Sequence, residues 1–253
     1  MRRLNVLSLF AGIGGIDLGL ERAGMTTVGQ VEINPFCQQV LAKHWPEVPR
    51  HDDVRTCIEW WDSRPRPTVD LIAAGYPCQP FSYAGKQLGI ADERWGWPWA
   101  EAVIRHLRPR YVFVENVAAL VRDRDAFGWM LGDLARLGFD AEWSVLSAAD
   151  FGAPHSSRRR LYLVAYTQGV DGDSRDMLVP RGVGRPPFAT GGLPGLPPHQ
   201  RGGAAREWLA REPGVGRLVD GVPCQVEQLG GYGNAVIPAA AEHIGRLITG
   251  VAA

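Results

Sequence analysis

Between residues 4 and 165, short apolar runs alternate with stretches whose apolar side chains recur at helical spacing, and that alternation leaves few folds open. Asn5 to Phe10 is an apolar run. Ile13 to Ala23 follows it, with Ile13, Ile16, Leu18 and Leu20 on one helical face and Gly24 as the stop. The pattern predicts a second strand over Thr27 to Ile33, a helix over Pro35 to Lys43 with proline in its first turn, and a third strand over Val69 to Ala74. It then predicts a helix over Trp97 to Leu107, a strand over Arg110 to Glu115, a helix over Asp125 to Leu137 closed by Gly138, and a strand over Phe139 to Ser147. Repeated strand–helix units require a mostly parallel, doubly wound α/β sheet covered on both faces. Arg160 to Ala165 adds a strand with no helical pattern before it, expected to run antiparallel at the end of the sheet.

The periodicity stops at Tyr166. Up to Gly203 it gives way to glycine and proline, including Pro186-Pro187 and Gly191-Gly192-Leu193-Pro194, a composition that cannot bury a core of its own. Such a segment is a linker or a functional lobe. The apolar pattern resumes over Val219 to Leu229 and Ala239 to Leu247, which must return to the first domain. The expected organisation is an α/β domain over 1–165, a small Gly/Pro/Arg-rich region over 166–217, and a returning segment over 218–253.

Several classes are disfavoured by composition. Cys37, Cys57, Cys78 and Cys224 show no C-x-x-C spacing and the histidines do not cluster, so neither a metal site nor a disulfide framework is expected. A reducing cytoplasm fits that usage. The N-terminus enters a strand at once and no apolar stretch approaches the length of a membrane span, so no targeting segment and no membrane contact are expected. The formal net charge is zero, so affinity for an acidic polymer must come from the arrangement of charge. Of 27 basic residues only Lys43 and Lys86 are lysines, which suits bidentate phosphate or base contact and equally reflects a GC-rich coding sequence.

Candidate chemistry concentrates where strands end. Cys78 lies in Gly75-Tyr76-Pro77-Cys78-Gln79-Pro80-Phe81-Ser82, directly after a buried run, and its flanking prolines limit backbone freedom so that the thiol is pre-aimed. Alone, such a cysteine reads as buried and inert. It is not alone. In the first strand–helix turn, Gly12, Gly14 and Gly15 let the backbone approach a ligand, while the amides opening the next helix suit a carboxylate or phosphate. The glycines by themselves leave a dinucleotide equally open. Glu32 ends the second strand, where a carboxylate can accept from both ribose hydroxyls. Glu115 falls at the carboxyl end of its strand, and Arg158 and Arg160 alternate so that they share a face while Arg159 points away.

Phe10-Ala11-Gly12-Ile13-Gly14-Gly15, Pro77-Cys78-Gln79-Pro80-Phe81-Ser82, Glu115-Asn116-Val117, the run Arg158 to Arg160 and Gly233-Asn234-Ala235-Val236 occur in the order found in DNA cytosine C5-methyltransferases, which the chain resembles over about residues 4–165 and 218–248. The resemblance implies a Rossmann-like, S-adenosylmethionine-dependent methyltransferase fold with a small irregular target-recognition lobe in 166–217. It implies Cys78, Glu115, Arg158 and Arg160 as catalytic residues, with Cys78 adding to carbon 6 of a flipped-out cytosine, Glu115 serving N3, Arg160 reaching O2 and Arg158 orienting the loop or base. S-adenosylmethionine would be held by Phe10, Ala11, Gly12, Gly14, Gly15, Ile16, Glu32, Ile33, Asp53, Val54, Pro77, Asn234 and Ala235, leaving S-adenosylhomocysteine as product and needing no metal. Asp52 rivals Asp53 for the adenine amino group.

DNA contacts are expected from Gln79, Ser82, Gly85, Lys86 and Arg94, in a loop that closes over the duplex, and from Arg175, Arg181 and Arg185 in the lobe. One departure stands out. The family's Gln-x-Arg-x-Arg is here Pro154-His155-Ser156-Ser157-Arg158-Arg159-Arg160, which puts His155 at the glutamine position only if one residue is inserted. The resemblance further implies double-stranded DNA as partner, a nucleoid-associated cytoplasmic location and a monomer; RNA remains an alternative substrate, a catalytically silent DNA-binding relative an alternative protein, and a restriction endonuclease partner is not readable from the chain.

Overall fold

The computed structural model describes residues 2–77, 95–152, 158–167 and 236–250. They form β1 (Asn5–Leu9), α1 (Gly15–Arg22), β2 (Thr26–Val31), α2 (Pro35–His44), β3 (Arg50–His51), α3 (Cys57–Asp62), β4 (Leu71–Ala74), α4 (Trp97–Leu107), β5 (Tyr111–Val117), α5 (Arg124–Arg136), β6 (Phe139–Ser147), β7 (Arg159–Thr167) and α6 (Pro238–Thr249). The seven strands make one sheet in the order β3-β2-β1-β4-β5-β7-β6. From β3 to β5 every pairing is parallel, and β7 pairs antiparallel with both β5 and β6.

Strand periodicity explains why both faces are covered. On β1, β4 and β5, Val6, Leu71, Ala73, Tyr111 and Phe113 pack with Ile16 and Leu20 of α1 and Ile244 of α6. Their neighbours Leu7, Leu9, Ile72, Ala74, Val112 and Val114 pack on the opposite face with Trp97, Ile104, Met130 and Leu134 of α4 and α5. Leu20, Phe113 and Ile104 are completely buried, each such side chain contributing roughly 1.5–3 kcal/mol.

Three features depart from the sequence expectation. β3 and α3 were not anticipated, because elements of two and six residues are too short to show a period. The last strand is antiparallel as expected, but it lies inside the sheet, with β6 at the edge. The reason is that β6 and β7 join as an antiparallel pair while β7 retains a full ladder to β5, from Tyr111 opposite Tyr166 to Val117 opposite Arg160.

Helix α6 packs against α1, near the start of the chain. A Cβ on Gly15 would sit 2.3 Å from the carbonyl oxygen of Val236, one on Gly19 2.4 Å from that of Pro238, and one on Gly245 2.6 Å from Cβ of Ala23. Glycine at these positions lets α1 and α6 approach backbone to backbone.

Candidate active site

Strand order reverses between β1 and β4, so their carboxyl ends open the crevice where α/β sheets receive ligands. Phe10 and Gly75 flank it. Phe10 leaves β1 at φ 55°, a left-handed value that costs a non-glycine residue of order 1–3 kcal/mol, and Gly12 and Gly14 follow at φ 56° and 85°. The turn is tied down by Ala11 N–H donating to Val31 O at 3.0 Å and Gly14 N–H to Ala11 O at 3.0 Å.

The glycines of this turn serve different ends. A Cβ on Gly12 would meet nothing within 4 Å, so this residue faces open space, as close approach of a ligand requires. Gly14 instead makes room for the indole of Trp45, 2.4 Å from its Cβ position, and Gly15 for Val236. Glu32 lies across the turn: Oε2 accepts from Gly12 N at 2.7 Å and Oε1 from Asn34 N at 2.7 Å. This carboxylate is buried rather than salt-bridged at the surface. Ile33 beside it is 68% exposed, an apolar side chain left uncovered at the rim. Ile16 is buried behind the turn.

Farther along the rim, Asp53 caps the short 3-10 turn that begins at Val54, and hydrogen bonds from the Arg55 side chain hold its carboxyl down at about 2. Asp52 is open to water beside His51. Of the two, Asp53 is the carboxylate engaged in local structure.

Glu115 marks the other side of the crevice. It lies opposite Tyr162 in the β5–β7 ladder, and Arg160, two residues along β7, occupies the same face. Arg160 Nε is 3.2 Å from Glu115 Oε1. The N–H is not aligned on that oxygen, so Oε1 is buried with no hydrogen-bond partner among the described residues. Burial raises the Glu115 carboxyl to about 7 against the opposing pull of Arg160 and then Arg158. Arg158 and Arg160 are half-buried while Arg159 is exposed, matching the alternation expected of them.

Glu115 also reaches the segment that leads to residue 78. Its Oε2 is 3.9 Å from where a Gly75 Cβ would stand, as is the carbonyl oxygen of Phe10, with Ile16 Cδ1 at 3.6 Å. Phe10, Ile16, Gly75 and Glu115 therefore converge at one place. Tyr76 and Pro77 continue from it, and the Tyr76 carbonyl accepts from Asn116 Nδ2 at 3.2 Å. Asn116 is 2% exposed, and its other side-chain atom accepts from Val117 N at 2.8 Å. Asn116 follows Glu115 in the same motif, and this hydrogen bond gives it a task, bracing the stem before residue 78. Cys78, Gln79, Ser82, Gly85, Lys86, Arg94, His155, Arg175, Arg181, Arg185, Asn234 and Ala235 lie outside the described residues. Among the described residues no group of three or more His, Cys, Asp or Glu could hold a metal ion, and no helix is long and apolar enough to cross a membrane.

Residues 4–180 match the family described as C-5 cytosine-specific DNA methylase. The chain is 36% identical over 169 residues to the Type II methyltransferase M2.BsuMI of Bacillus subtilis, covering 64% of this chain and 42% of that protein. It is 35% identical over 167 residues to the Type II methyltransferase M.NgoBI of Neisseria gonorrhoeae, covering 65% and 51%. Thus the chain spans about half the length of the curated relatives it matches. Among solved structures it resembles a DNMT2 variant from Spodoptera frugiperda, with a TM-score of 0.53 at 25% identity over 66% of this chain and 51% of that one.

Proposed function

Because the chain belongs to the C-5 cytosine-specific DNA methylase family, we propose that it transfers a methyl group from S-adenosylmethionine to carbon 5 of a cytosine flipped out of double-stranded DNA. The observation that carries the reading is the buried Oε1 of Glu115, without a hydrogen-bond partner among the described residues, next to Arg160 and at the base of the segment leading to Cys78. Carbon 5 of neutral cytosine is a poor nucleophile. The Cys78 thiolate adds to carbon 6, forming a carbon–sulfur bond, while the ring gains a proton at N3 from Glu115. A carboxyl group raised to about 7 carries that proton at neutral pH far more readily than an ordinary glutamate. Arg160 holds O2 and Arg158 orients the loop or base. After carbon 5 has been methylated, water takes the carbon 5 proton, the carbon–sulfur bond breaks to release the Cys78 thiolate, and N3 returns its proton to Glu115, restoring the ring.

The residues around the first turn fit the cofactor. Gly12 opens on free space, Glu32 presents a carboxylate for ribose hydroxyls, and the uncovered Ile33 offers an apolar surface to an adenine. Phe10, Ala11, Gly14, Gly15, Ile16, Asp53, Val54, Pro77, Asn234 and Ala235 complete the set that would hold it. When bound, S-adenosylmethionine supplies an electrophilic methyl group on a sulfonium. Target recognition falls to 166–217 and the remaining C-terminal segment completes the catalytic domain; the Type II names of the relatives support a restriction–modification setting. Bisulfite sequencing of DNA from a methylation-free host expressing the protein tests the function, with 5-methylcytosine at a recurring sequence expected. An unmodified genome, with transfer to tRNA in its place, would redirect the activity to RNA.

A further inference from the structure

Beneath the glycine turn lies a polar cluster to which the reaction assigns no part. Ser8 and Gln30 are direct partners in the β1–β2 ladder, and both are buried. Asp17, from the first turn of α1 and completely buried, accepts from Ser8 Oγ at 3.0 Å through Oδ2 and from Gln30 Nε2 at 3.0 Å through Oδ1. One carboxylate thus ties the start of α1 to two strands at once. Phe10 and Glu32 stand two residues beyond Ser8 and Gln30, so this tie lies directly under the residues that bound the turn. Above it, Glu32 grips the turn through Gly12 N. Phe10, a non-glycine residue with left-handed backbone, persists only where its surroundings over-determine it, and these two carboxylates hold its turn from opposite sides.

We propose that Asp17 is a positioning residue for the cofactor pocket, fixing α1 on the Ser8–Gln30 pair so that the Phe10–Gly14 turn keeps the shape that receives S-adenosylmethionine. The inference rests on the reading of this turn as the S-adenosylmethionine site. Burial is costly for this carboxyl, which is pushed up to about 6, with the bonds from Gln30 and Ser8 opposing the rise and Glu21 one turn along α1 adding to it. A surface helix gains nothing from such a group, since an apolar residue would pack there without that cost. Above that pH the carboxylate accepts both bonds, while Gln30 Oε1 stays buried without a hydrogen-bond partner among the described residues.

The test is calorimetric titration of the full chain with S-adenosylmethionine, paired with steady-state kinetics. Wild type that fails to bind refutes the cofactor reading and the inference with it, whereas binding by wild type makes the variants a test of Asp17 alone. Asp17→Leu leaves Ser8 and Gln30 without their acceptor, and is expected to weaken binding about tenfold or more and raise KM for S-adenosylmethionine equally, with kcat at saturation within about twofold of wild type. Asp17→Asn is expected to stay within about threefold, because its amide can accept from Gln30 Nε2 and donate to Ser8 Oγ, whose hydroxyl rotates to accept. Unchanged binding in folded Asp17→Leu, or a fall in kcat at constant KM, would overturn the proposal. Should Asp17→Leu fail to fold, Ser8→Ala removes one tie: about threefold weaker binding supports the role and unchanged binding refutes it.

Discussion

Glu115 and Arg160 stand diagonally across the β5–β7 ladder with 3.2 Å between Oε1 and Nε, close enough to interact and too poorly aligned to close a hydrogen bond. Arg160 lowers the cost of a buried carboxylate without neutralising it. The carboxyl therefore titrates near neutral pH, at about 7, with burial the larger influence. A fully bonded glutamate at this position would hold its charge and could not serve a ring nitrogen as an acid.

The pH dependence of stability follows with a definite sign. The folded carboxyl binds its proton up to about 7 while the unfolded one releases it near 4.5, so its contribution is complete below 4.5 and disappears as pH rises through 7. Urea unfolding of wild type between those values should lose on the order of 3 kcal/mol from this group, and Glu115→Gln should flatten the slope. The same variant should lower kcat about a hundredfold or more in a radiolabelled methyl-transfer assay, with the fold retained.

Glu32 should act on the cofactor and leave the base alone. Glu32→Ala deletes the acceptor for Gly12 N and Asn34 N together with the proposed ribose contact. Binding of S-adenosylmethionine, followed by calorimetry, should weaken at least about tenfold, as loss of charge-assisted bonds predicts. Affinity within twofold of wild type would remove Glu32 from the pocket.

Gly15→Ala probes the return of the C-terminus. Its Cβ would press on the Val236 carbonyl oxygen at 2.3 Å, a backbone atom that cannot rotate aside. Denaturant unfolding should show a loss of about 1–3 kcal/mol. Gly12→Ala meets no atom and is strained only by its φ of 56°, so it should cost less stability while still encroaching on the ligand space.

Where sequence and structure agree, local chemistry is strong. Trp97–Leu107 and Phe139–Ser147 match their expected bounds, one opened by Gly96 and Pro98 and the other preceded by Gly138. Pairing order was not legible, because β7 carries nothing in its residues to say that its neighbour is β5 rather than open solvent. The candidate site was legible as residue types at strand ends. What each one touches was not: the Cβ positions of Gly14 and Gly15 are filled by Trp45 and Val236, and Asn116 has its task only from a hydrogen bond 40 residues away in sequence. Asp17 and Gln30, polar types that normally lie in water, gave no sign of complete burial.

The proposed chemistry depends on a covalent bond between Cys78 and the base. Duplex DNA of varied sequence containing 5-fluorocytosine, incubated with the protein and S-adenosylmethionine and then denatured, should yield a cofactor-dependent adduct, since fluorine blocks the final elimination. Mass spectrometry should place it on Cys78, and Cys78→Ser should abolish it. Methylation of normal cytosine by the Cys78→Ser protein at the parent's rate, or an adduct on another residue, would contradict the account.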